Sequence, residues 1–232
     1  TEGLEGCYIQ LIEDAPVAIQ LPPIVSAEVL LVLGALFCTV AGYFALLEKQ
    51  GISVNLVSYV GLGTARELII GNDNRPPTAA ELTAMQDLVT ASMQQGAAGV
   101  STGLIYPPNA FATLDELVAL SMPAAALGGR YASHLRHDGK KLRDGISEAI
   151  TIGERAKLPV HVFHIKVTGQ ANFGRMKEVV ELVEAAHARG VQLTADIYPY
   201  VASSTSLTAT LPQWVMDGGA GKMVERLSDR RT

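Results

Sequence analysis

Cysteine is scarce. Cys7 and Cys38 are the only two among 232 residues, too few for a disulfide framework, so a reducing compartment, the cytoplasm, is the default expectation. Positive charge is short as well. Lys and Arg number 18 against 23 Asp and Glu, a formal net charge of −5, which argues against a nucleic-acid backbone as partner. No Gly-x-Gly-x-x-Gly opens the first helical segment, so a nucleotide-binding sheet is poorly supported. The start lacks an initiator Met, a basic n-region and a small-residue cleavage site, and the chain reads as an excerpt of a longer protein. Long uncharged runs are few; Val29–Leu47 is one, about the length of a membrane span. It lacks flanking Arg and precedes a stretch patterned as a soluble enzyme, which argues for a buried helix or a helix plus strand. Residues 1–50 are therefore expected to form an irregular apolar lead-in, and residues 51–232 the folded domain.

From Val54 onward the pattern is regular. Val54–Val60, Ala98–Leu104, Arg130–Arg136, Pro159–Lys166 and Val191–Tyr198 read as apolar, β-branched strands. Helical segments lie between them. Thr78-Ala-Ala-Glu81 is a capping box, and Thr113-Leu-Asp-Glu116 opens the next helix. Leu142, Ile146, Ala149 and Ile150 form one apolar stripe, and Met176, Val179, Val180, Val183 and His187 another. Alternation of strand and helix predicts a parallel sheet with right-handed crossovers. The predicted fold is α/β: a partial (β/α)8 TIM-like barrel of about five βα units. A complete barrel needs about 250 residues, and a partial one exposes two strand edges, which favours association into a homo-oligomer.

Chemistry concentrates at strand exits. Side chains alternate along a strand, so Val160, Val162, His164 and Lys166 are expected on one face and His161, with Phe163, on the other, packed toward the helices. His134 and Arg136 share a face at the exit of the strand one repeat earlier. Neighbouring parallel strands lie roughly 5 Å apart, close enough for His134 and His164 to reach one ion, and zinc takes neutral imidazole. Each ring bonded to a neighbouring loop is the alternative. Arg136 and Lys166 would suit an anionic substrate group such as a carboxylate, or they pair with Asp138 or Asp196. Tyr198 and Tyr200 could donate to such a carboxylate or pack as aromatics, and Asp196 could support a ligand from behind or bond a loop backbone. Cys7 is either a zinc thiolate or a small buried hydrophobe. His137 and His187 read as solvated and structural.

Gly99-Val-Ser-Thr-Gly-Leu-Ile-Tyr-Pro-Pro108, Tyr131-Ala-Ser-His-Leu-Arg136, His164-Ile-Lys166, Asp196-Ile-Tyr-Pro-Tyr200 and Ala202-Ser-Ser-Thr205, with Asn74-Arg-Pro-Pro-Thr78, together resemble the N-acyl-D-amino-acid deacylases (D-aminoacylases) of the amidohydrolase superfamily. The resemblance implies a zinc-dependent barrel enzyme that splits the amide of a small N-acyl-D-amino acid into a carboxylate and a free D-amino acid. It implies zinc ligation by His134 and His164, with Cys7 in the place of an upstream ligand, and substrate-carboxylate binding by Lys166 and a Tyr of Tyr198-Pro-Tyr200. Glu-Gly-Cys7-Tyr departs from the family's Gly-Asn-Cys-Gly, Leu62 stands where a His of Val-Gly-His-Gly is expected, and no His-x-His strand precedes Cys7. The general-base Asp is expected beyond Thr232. Two other readings stay open: a cyclic-amide hydrolase of the dihydroorotase or hydantoinase kind, and a non-catalytic, membrane-associated partial barrel anchored by Val29–Leu47.

Overall fold

Local chemistry starts the helices. In the computed structural model, which describes residues 39–229, the Thr78 hydroxyl accepts from the Glu81 backbone N–H and the Glu81 carboxylate accepts from the Thr78 N–H. This reciprocal cap opens helix α3 (Ala79–Gln94), and Thr113 caps α4 (Leu114–Ala126) through the Glu116 N–H. The remaining helices are α1 (Val40–Gln50), α2 (Leu62–Ile70), α5 (Leu142–Ala156), α6 (Met176–Ala188) and α7 (Gly219–Ser228). Strands β1 (Val60–Gly61), β2 (Gly99–Gly103), β3 (Arg130–His134), β4 (Val160–Val162) and β5 (Leu193–Ala195) form one parallel sheet whose spatial order is the chain order. Five consecutive βα units with no reversal of strand order are an arc of a (β/α)8-type barrel, as the alternation predicted.

Register sorts the side chains into two layers. Val100, Tyr131, Val160 and Leu193 lie side by side across β2 to β5, and all are buried in the core beneath the helices. On the other face Gly61, Ser101, Ala132, His161 and Thr194 form the matching row. Val160 and Val162 thus belong to the helix layer, and a Cβ on Gly153 of α5 would meet Val160 Cγ2 at 2.5 Å. His161 points the opposite way from the expectation: it lies on the barrel-interior face, not against the helices.

The strands are also shorter than their apolar runs. Of Pro159–Lys166 only Val160–Val162 is strand, and of Val54–Val60 only the last residue. Helix α2 occupies Leu62–Ile70, for which no element was expected. It is fixed by a buried ion pair, Arg66 Nη1 to Glu116 Oε1 at 2.5 Å. The same guanidinium donates to the Asp73 and Arg75 carbonyls, so one side chain ties α2, α4 and the loop ahead of α3.

Helix α1 covers the end of the apolar run. Phe44 rests on Gly96 after α3, and Ala41 N donates to Gln95 Oε1 at 3.2 Å. Its 11 residues reach only about 16 Å, half of what a bilayer core requires. Among the described residues no helix is long and apolar enough to cross a membrane. Cys7, Cys38 and most of the lead-in lie outside the described residues.

Candidate metal and carboxylate site at the strand exits

His134 is the last residue of β3 and shares the interior face with Ala132. His164 lies two residues past the end of β4. Continued alternation would send it into the helix layer with Val160 and Val162, but its backbone is left-handed, with φ 38°. The turn swings the ring back over the interior face. His134 Nδ1 and His164 Nε2 end 3.0 Å apart, and the rings meet edge to face at 4.5 Å between centroids. The juxtaposition expected from the two exits is present, by a route that strand periodicity alone does not provide.

Lys166 continues the line. Its Nζ lies 3.0 Å from His164 Nδ1 and 3.1 Å from Asp138 Oδ2. Thr168 Oγ1 donates to Asp138 Oδ1 at 2.8 Å, and Thr168 N to Asp138 O at 2.7 Å, so the loops after β3 and β4 are pinned together around the ammonium group. An ammonium only donates. His164 Nδ1 therefore accepts, its Nε2 carries the proton and donates to His134 Nδ1, and the remaining proton sits on His134 Nε2. That atom is buried without a hydrogen-bond partner.

The surroundings hold both imidazoles neutral. Burial, followed by the neighbouring His164 and Lys166, pushes His134 down to about 4. Burial and then Lys166 lower His164. Burial opposes ionisation of Asp138, but bonds from Thr168 and Lys166 overcome it and hold its carboxyl below the usual range.

Aromatic rings frame the site. Tyr198 lies with its ring centroid 5.9 Å from Lys166 Nζ and 6.1 Å from that of His164, and Tyr200 stacks on it from the solvent side. Tyr106 packs 5.7 Å from the His134 ring and bonds Thr205 Oγ1 at 2.7 Å. Asp138 was expected only as a pairing partner, and Lys166 does pair with it; Tyr106 and Thr168 had no expected site role. Only the position of Tyr106 within the Leu-Ile-Tyr-Pro-Pro loop pointed there.

Arg136 does not join this group. Its Nε and Nη2 are committed to Glu148 on α5, and Nη1 and Nη2 to the Ala110 and Ala112 carbonyls. The strand ends at His134, so the alternation that placed Arg136 beside it no longer applies, and every guanidinium nitrogen is spent on Glu148 of α5 or on the Ala110 and Ala112 carbonyls. Among the described residues no cluster of three or more His, Cys, Asp or Glu could hold a metal; the third ligand expected at Cys7 lies outside them.

The fold is an arc of a TIM-like barrel with two imidazoles meeting at neighbouring strand exits. No family model matches the chain. It is 41% identical over 167 residues to D-aminoacylase of Alcaligenes xylosoxydans xylosoxydans, a match covering 72% of this chain and 34% of that enzyme. Several solved structures resemble it. One is a D-aminoacylase described as defining a novel subset of amidohydrolases, with TM-score 0.69 and 35% identity, covering 82% of this chain and 40% of the other. Another is N-acyl-D-glutamate deacylase from Bordetella bronchiseptica, complexed with zinc and a phosphonate mimic of the tetrahedral intermediate, with TM-score 0.68 and 34% identity, covering 70% and 34%. The chain is a relative of the N-acyl-D-amino-acid deacylases, and it spans about a third of the length of the curated relatives it matches.

Proposed function

We propose that this chain carries part of the active site of a zinc-dependent deacylase acting on N-acyl-D-amino acids, contributing two zinc ligands and the groups that hold the substrate carboxylate. The observation that carries the reading is the convergence of two neutral imidazoles with a fixed ammonium beside them. Two nitrogens bound to one tetrahedral zinc at 2.0–2.1 Å are about 3.4 Å apart, close to the 3.0 Å between His134 Nδ1 and His164 Nε2. Binding there would replace the bond between the rings: His134 Nδ1 and His164 Nε2 would give their lone pairs to zinc, the His164 proton would move to Nδ1, and Lys166 would be left to Asp138. Bound zinc would polarise the amide carbonyl and lower the pKa of a water ligand toward about 7.

The chain's own residues do the rest of the recognition. Lys166, anchored by Asp138 and Thr168, presents a positive charge beside the paired rings, where a substrate carboxylate would sit while its amide lies over the imidazoles. Tyr198 backs the ammonium and can donate its hydroxyl to the same carboxylate. A linear N-acyl amino acid has a free carboxylate for this position. That favours it over a cyclic amide, as does the relatedness to D-aminoacylase.

The test compares wild type with His164→Ala for zinc content and for turnover of N-acetyl-D-amino acids, their L-enantiomers and a hydantoin. Zinc is expected to fall with the substitution, and any turnover to be confined to the linear D-substrates and lost in the variant. Zinc content and turnover indifferent to residue 164 would end the reading.

A further inference from the structure

The left-handed backbone at His164 is unusual for a non-glycine residue, and such conformations persist only where the surroundings hold them. Lys166 Nζ donates to the His164 carbonyl at 3.3 Å, and a second side chain holds the N–H of the same residue. Asp196 Oδ1 accepts the backbone N–H of His164 itself. The rest of Asp196 is engaged on the same segment: its N donates to Val162 O at 3.1 Å, and its carbonyl accepts from Ile165 N at 2.9 Å. The other carboxylate oxygen accepts from His161 Nε2 at 2.9 Å, and His161 Nδ1 meets Thr194 Oγ1 at 2.8 Å. The interior-face histidine thus fixes the carboxylate, and the carboxylate fixes the turn.

We propose that Asp196, oriented by His161, is the positioning residue of the proposed metal centre: it captures the His164 N–H, holds the left-handed turn and so aims the His164 ring at His134 instead of at the helix layer. The proposal rests on the metal reading above and extends it to two residues that touch neither the metal nor the substrate. Its physical content is a hydrogen bond to a backbone N–H, not a charge. An amide oxygen at position 196 can therefore serve, and a methyl cannot.

The experiment measures zinc affinity of the full chain by competition with a chromophoric chelator, together with the melting temperature of the metal-free protein. Support of this kind for a ligand typically matters about 10–100-fold in metal affinity, and that loss is expected for Asp196→Ala. Asp196→Asn should stay within about threefold of wild type, because its carbonyl oxygen still accepts from His164. His161→Leu, which frees the carboxylate while leaving it in place, should fall between the two. Wild-type affinity in Asp196→Ala, or an equal loss in Asp196→Asn and Asp196→Ala, overturns the proposal. If Asp196→Ala fails to fold, His161→Leu decides in its place, and unchanged affinity there overturns it too. His164→Ala is the reference: a variant that keeps wild-type zinc affinity sinks the metal reading itself, whereas loss there with none in Asp196→Ala sinks only the positioning role.

Discussion

Arg66 illustrates what one buried side chain can hold. It is 1% exposed, pairs with Glu116 and donates to two carbonyls in the loop before α3. Arg66→Met would leave a buried carboxylate without its counter-charge, which costs about 3–5 kcal/mol. Urea unfolding should show this as a lower midpoint at an unchanged m-value. His134 gives a pH dependence. Its folded value of about 4 lies below the roughly 6.5 of an unfolded imidazole, so the unfolded chain takes up the proton first. Metal-free stability should be level above about pH 7 and decline between about 6.5 and 4, by at most about 3 kcal/mol from this residue before solvent screening. Melting temperature against pH measures the slope, and His134→Gln should flatten it. The two rim histidines were readable in the sequence because imidazoles one βα repeat apart need no knowledge of packing. The orientation of His161 and the partners of Arg136 were not. Both depend on where pairing stops, and alternation was carried past the last paired residue of each strand.

Helices and strands were legible to different degrees. The ends of α3 and α4 are written locally, in Thr78 and Thr113 and the residues three positions on. Strand length is set by what the neighbouring strand can pair with: β4 matches only three residues of each neighbour, although its apolar run is longer. Helix α2 has no side-chain cap and starts beside Gly61 and Gly63, so nothing in its first turn distinguishes it from a loop. Close approach is equally invisible in a sequence. A Cβ on Gly145 of α5 would lie 2.5 Å from the His137 carbonyl oxygen, a backbone atom that cannot swing aside. Gly145→Ala should therefore destabilise by about 1–3 kcal/mol despite better helix propensity. Gly221→Ala in α7, where nothing lies within 4 Å of the added atom, should instead stabilise by up to about 1 kcal/mol. Chemical denaturation of the two variants side by side checks the contrast.

For the whole molecule, the five units repeat one contact scheme, strand against the preceding strand and helix over the joint. The exception is the return of the last segment to the first units. Asp217 Oδ1 accepts from Asn74 N at 2.7 Å and Gly218 N donates to Asn72 O at 2.9 Å, a link spanning 143 residues of sequence. Tyr106 to Thr205 at 2.7 Å is a second long-range tie; the sheet itself is assembled between neighbours.

Because spatial order and chain order coincide in the described sheet, each strand after β1 pairs with one already made, and closure entropy is met in small instalments. The chain can therefore fold as it is synthesised, N-terminal units first, with the Asp217 clasp fastened last. Pulse-labelling hydrogen exchange should find β2 and β3 protected ahead of β5, and Asp217→Ala should leave that sequence of events intact while speeding unfolding.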